Sequence, residues 1–128
     1  MAFVRVAEAY REIDMGARVA AADRHGLIQL LFDELAVALA QAEVACRQSD
    51  RIARSRASAR AMSILSGLSS SLDSERGGEV AALLGAVYAK ASADLITASR
   101  TEAPRNYSEI ASRINDIASA WRLIGTRR

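Results

Sequence analysis

The chain has 128 residues, enough for one domain with one real core, and 25% of them are charged, as in ordinary globular proteins. The formal net charge is only +2, Lys90 is the sole lysine and Cys46 the sole cysteine. These numbers exclude an internal disulfide and argue against a strongly basic duplex-binding domain.

Glycine and proline are scarce, aromatic residues are few, and Ala, Leu, Ser and Arg dominate. That mix favours helices, because strands draw on β-branched and aromatic side chains. Residues 1–22 show no sustained apolar period and no apolar run long enough for a signal peptide or a membrane span. We expect a mobile or short-helical arm there and a cytoplasmic protein without membrane insertion. Asp23 is a suitable N-cap for a first long helix, in which Leu27, Leu31, Leu35, Ala38, Ala42 and Cys46 recur at the helical period. Asp50 can cap a second helix, with Ile52, Ala59, Met62, Leu65, Leu68 and Leu72 as its expected apolar positions. Leu72 to Gly78 reads as the clearest turn, since glycine permits backbone angles strained elsewhere.

A third helix is expected from about Gly78 to Arg100, with Val80, Leu84, Val87, Ala91, Leu95 and Ala98 on its core face. Pro104 stops a helix from running through Thr101 to Arg105. Asn106, with Glu109 three residues on, resembles a capping box for a fourth helix. There Ile110, Ile114, Ile117, Trp121 and Ile124 form a narrow seam, and Gly125 is a natural stop. The expected fold is therefore all-α: an antiparallel four-helix bundle over residues 23–128 behind an arm of residues 1–22.

Catalytic groups do not converge. His25 and Cys46 are about 30 Å apart along one helix, so they cannot pair. One His and one Cys cannot build a zinc site, and no phosphate-cradling glycine motif is present. No cofactor, metal or enzymatic activity is expected. Asp33 with Glu34, Asp73 with Glu75, and His25 itself all read as surface groups. Arg47, Arg51, Arg54, Arg56 and Arg60 form a basic cluster around the first loop. It lacks the interleaved aromatics of a base-stacking surface and reads as a solvated face rather than a nucleic-acid site.

The back of the third helix is more informative. Opposite its expected core face lie Gly78, Ala82, Gly85, Ala86, Ala89, Ala93 and Ile96, with no charge among them. A solvated helix face carries charge. Small, uncharged residues there would let another chain come close, or would simply reflect the abundance of alanine. Val37, Ala40 and Val44 give the first helix a similar outer face.

Several segments resemble the flagellin-specific export chaperones of the FliS family. The first comprises Ala9-Tyr10, then Val19-Ala20, Ala22-Asp23, His25, Leu27-Ile28 and Leu30-Leu31-Phe32-Asp33. The second is the run Leu68, Leu72-Asp73, Glu75 and Gly77-Gly78-Glu79-Val80-Ala81, which is similar to the family's hallmark turn at Asp73, Glu75, Gly77 and Gly78. Leu84, Val87-Tyr88 and Ala120-Trp121 also fall where the family has similar residues. The chain departs from the pattern at Asp23-Arg24, where the family often has Ser-Pro, and at Leu83, where it often has Asn.

The resemblance implies a bundle that binds the disordered C-terminal segment of flagellin and prevents premature polymerisation. It would keep the client competent for flagellar type III secretion, with the flagellar export apparatus as a further partner. Tyr10 would sit on an arm that plugs the client groove. On this reading Tyr10, Ile13, Ala82, Gly85, Ala86, Tyr88, Ala89 and Ala93 are the expected partner-binding residues. The groove also offers a route to weak self-association. The alternative is a helical adaptor or regulator that meets nucleic acid or an acidic partner through the arginine cluster.

Overall fold

The structure, a computed structural model, describes residues 24–72 and 74–126. The expected arm, the Asp23 cap, Tyr10, Ile13 and Asp73 lie outside the described residues. Four helices account for nearly all of the rest: α1 (Arg24–Arg47), α2 (Arg51–Ser70), α3 (Ser74–Arg100) and α4 (Arg105–Thr126). No strand occurs among the described residues.

The loops are short enough that successive helices must run antiparallel. Partners between α1 and α2 show it directly, since one number rises as the other falls: Arg24 donates to the Ser71 carbonyl, Glu34 pairs with Arg60, and Cys46 meets Arg54. α1 packs on α2 and α4, and α3 completes the bundle by packing on the same two helices. The core is Leu31, Phe32, Leu35 and Leu39 of α1, Ile64, Leu65 and Leu68 of α2, Tyr88 and Leu95 of α3, and Tyr107, Ile110 and Ile114 of α4. All of these are almost fully buried. Phe32 sits at the centre, its ring 6.3 Å from that of Tyr88 and 6.4 Å from that of Trp121.

The helix ends show local chemistry at work. The Asp50 carboxylate accepts from the Ala53 backbone N–H at 3.1 Å, the cap expected for α2. The fourth helix starts differently. Pro104, with its fixed φ, leads directly into α4 and accepts from the Tyr107 N–H at 3.1 Å, so helical geometry already begins at Arg105. Asn106 is inside the first turn, where its amide donates to Thr101 Oγ1 at 2.9 Å instead of capping. α4 also continues through Gly125 to Thr126. The expected turn from Leu72 to Gly78 is largely helical: α3 starts at Ser74, and the backbone breaks only at Gly78 (φ 52°, ψ −124°), a geometry that glycine alone adopts cheaply.

Five side-chain expectations are corrected. In α2, Ile52 and Ala59 are exposed, and Ala57, Ala61 and Ile64 take the core positions. In α3, Val80 is exposed and Ala81 is buried. Ile124 overshoots the partner helices and is half exposed. His25 is not a free surface residue: its ring stacks on Trp121 with centroids 4.4 Å apart, and the indole Nε1–H donates to the His25 carbonyl at 3.0 Å. That pair ties the start of α1 to the end of α4.

Candidate client-binding surface

α3 is long and apolar enough over Gly78–Arg100 to cross a membrane by length and composition alone. Only 22% of its most apolar stretch is buried. A core helix would bury such a stretch, and a solvated helix would not carry it. Lys90 and Asp94 lie partway along and pair at 3.4 Å, which sets the helix at a protein surface. An exposed apolar face of this kind is a candidate docking surface.

The small-residue stripe lies on the outer face of α3, with Gly85 partly covered, while Tyr88, expected among the partner-binding residues, does not join it. Ala82, Ala86, Ala89 and Ala93 are exposed along the outer face, with Ile96 beyond them at 46% exposure. Leu83 and Val80 add exposed apolar bulk near its start. Gly85 is partly covered: a Cβ there would meet Leu72 Cδ1 at 3.4 Å. The placement of Tyr88 as a partner-binding residue is corrected. It is 1% exposed and packs on Phe32, so it belongs to the core and not to the outer stripe. Adjacency in sequence to Ala89 is misleading, because one residue turns a helix by about 100°. Glu75 and Gly77 fall within the first turn of α3, and Gly78 forms the break that follows it.

The two flanks of the stripe differ. Between α3 and α4 the surface is charged with both signs: Lys90, Asp94, Glu109 and Arg113, with Arg113 bonded to Asp94. Between α2 and α3 a groove of about 350 Å³ opens over Ser55, Ser58, Ala59, Met62 and Ile96, with Arg51 and Arg54 at its end. Ser58 and Ala59 are therefore surface contributors that the reading of α2 as a simple core helix missed, while Met62 packs against the core as expected and also lines the groove. The signal was present, since Ile52 and Ala59 are apolar but fall out of phase with Ala61, Ile64 and Leu68. α1 carries a separate exposed apolar pair, Val37 and Val44.

The arginine cluster is solvated except at Arg54. Arg47 pairs with Glu43 at 2.9 Å, Arg60 with Glu34, and Arg51 with Glu102 at 3.5 Å. Arg54 is half buried and bridges three elements. It donates to Cys46 Sγ at 3.7 Å, to the Thr101 carbonyl at 3.3 Å and to the Ser99 carbonyl at 3.5 Å. The sulfur contact is the main reason its guanidinium pKa is raised above the ordinary arginine value. It neutralises the carbonyl-rich C-terminus of α3. Among the described residues, no group of three or more His, Cys, Asp or Glu side chains is placed to hold a metal.

Residues 6–128 match the family described as Flagellar protein FliS. The chain belongs to the FliS family. It is 31% identical to the flagellar secretion chaperone FliS of Salmonella typhimurium, over 94% of this chain and 90% of that protein. It is 32% identical to the flagellar secretion chaperone FliSB of Pseudomonas aeruginosa, over 88% of this chain and 89% of that one. A 25% identity links it to the flagellar secretion chaperone FliS of Vibrio cholerae, over 89% of this chain and 84% of its relative.

Proposed function

We propose that this FliS-family protein is a cytoplasmic flagellar export chaperone. Its client is the disordered C-terminal segment of flagellin, which it holds in a secretion-competent, unpolymerised state for the flagellar type III export apparatus. The observation that carries this reading is the uncharged, exposed stripe Ala82, Ala86, Ala89 and Ala93 on a helix whose apolar surface is mostly unburied. A client chain settling there would gain contact with α3 and its flanks, offset by the cost of ordering a disordered segment. The function is holding, and it requires no catalytic group. Residues 1–22 act as an arm in this reading, with Tyr10 and Ile13 competing for the same surface until the client displaces them.

Calorimetry with the C-terminal segment of the cognate flagellin tests the proposal. Ala86→Glu or Ala89→Arg should abolish or greatly weaken binding, because added bulk holds the client off and an unpaired charge would be buried, at about several kcal/mol. The melting curve should barely move, since both positions are exposed. Ser112→Glu, on the exposed side of α4, should bind as wild type does. Wild-type affinity in both α3 variants would place the client elsewhere.

A further inference from the structure

A second patch of surface stands apart from the α3 stripe. Along the outer side of α1, Asp33, Val37, Ala40, Val44 and Arg47 are all exposed. They recur at steps of four and three, the spacing of a helix-pairing seam, on the side turned away from Leu31, Leu35, Ala38 and Ala42. Val37 and Val44 are 48% and 52% exposed. They stand two turns apart, about 10 Å along the helix. The exposed residues between them, Ala40 and Gln41, carry no charge. An acid ends this seam on one side and a base on the other.

Read backwards, the seam complements itself, and that selects its occupant. We infer that the outer side of α1 pairs with the same side of a second copy of this chain, the two helices antiparallel about a two-fold axis near Ala40. This register sets Val37 against the partner's Val44 and Asp33 beside the partner's Arg47, and each contact occurs twice. Ala40 meets its own copy at the axis, where a side chain of one methyl lets the backbones approach. A slip of seven residues either way leaves one valine of each chain without its counterpart. A parallel pairing would set Asp33 against Asp33 and Arg47 against Arg47. Both charges can turn toward the partner, since their side chains are more than half exposed. Within the chain Asp33 is 3.9 Å from Arg122, and Arg47 pairs with Glu43 one turn back, surface contacts that cost little to exchange. α3 packs on α2 and α4 and lies across the bundle from α1. The pairing therefore leaves both α3 stripes open, unlike self-association through the stripe itself. Two valines a side make a small patch, so the dimer is weak and reversible.

Sedimentation equilibrium of the full-length protein over a wide concentration range, without any client, tests the pairing. The wild type should show a reversible monomer–dimer equilibrium. Val44→Glu should weaken it about tenfold or more, because a carboxylate would be pressed against the partner's Val37. Asp33→Arg alone and Arg47→Asp alone should each weaken self-association about tenfold at low salt, since two like-charge contacts replace two opposite ones. An equimolar mixture of those two variants should dimerise as well as wild type, because the mixed pair restores both opposite-charge contacts. Ala89→Arg, on the far side of the bundle, should dimerise as wild type does. All of these positions are exposed, so each variant should melt close to wild type. A wild type that stays monomeric at the highest concentration reached would overturn the inference. So would a dimer that Val44→Glu leaves intact, a dimer that Ala89→Arg abolishes, or a mixture of the two charge variants that associates no better than either alone.

Discussion

Arg51 and Arg54 are three residues apart on one helix, yet their surroundings give them different work. Arg54 is half buried and serves two carbonyls and a sulfur, while Arg51 holds one exposed partner. Arg54→Ala should therefore destabilise the bundle by about 1 kcal/mol, the worth of charged hydrogen bonds discounted for exposure, while Arg51→Ala should cost less than about 0.5 kcal/mol. Urea denaturation of the two variants side by side reads the difference. Tyr88 makes a separate case. Burial pushes its phenol up to about 12 from an ordinary value near 10. The folded state thus disfavours phenolate, so the stability tied to the neutral ring is intact below about pH 10 and is lost as pH rises toward 12. Melts across that range should show an alkaline fall that Tyr88→Phe reduces by about 2–3 kcal/mol. An identical fall in both proteins would show that Tyr88 titrates freely.

The helices differ in how plainly their sequences declare them. In α4 the isoleucine seam is bounded by polar residues, so Ile110 and Ile114 can be placed in the core by spacing alone, and both are. The seam loosens toward its end, where Ile117 is only partly buried. Ile114→Ala should cost about 2–5 kcal/mol and Ile117→Ala distinctly less, and thermal denaturation should rank them so. A larger loss at Ile117 would mean that α4 is rotated from its placement here. α2 is harder to read. Its Ser, Ala and Arg residues differ little in hydropathy, so the chain offers two weak frames. Ile52 and Ala59 advertise the wrong one, while small residues such as Ala57 and Ala61 hold the core. Tyr107, fully buried with its hydroxyl 3.4 Å from the Ala98 carbonyl, lies three residues before Ile110 and so continues the seam in phase; with Asn106 read as the cap, it falls outside the counted positions.

At the scale of the molecule, the fold was legible because four helix-length segments separated by turn or cap signals leave few arrangements. The stripe on α3 was legible too, because the absence of charge over four turns is a property of sequence. The α2–α3 groove was not, since it depends on which face of α2 meets α3, and that is decided by packing. The stripe on α3 also sets stability against function at one position. Gly85 is mid-helix, and a Cβ there would make only ordinary contact with Leu72. Gly85→Ala should stabilise the fold by about 0.5–1 kcal/mol through lower unfolded-state entropy. The same methyl should crowd the small-residue stripe and weaken client binding. Differential scanning calorimetry and titration on one variant test both halves, and tighter binding together with a higher Tm would remove Gly85 from the client surface.

The stacked pair of His25 and Trp121 gives the protein an optical gauge of its own. Trp121 is the only tryptophan in the chain, so all indole emission arises where the start of α1 meets the end of α4. A ring stacked at 4.4 Å is placed to quench that emission. Separation of these two helix ends would then appear as brightening, without any label. The α2–α3 groove's basic end is at the other end of the bundle, so a client confined to it would leave the signal dark. A client that runs on to reach Trp121 would report its own arrival in light.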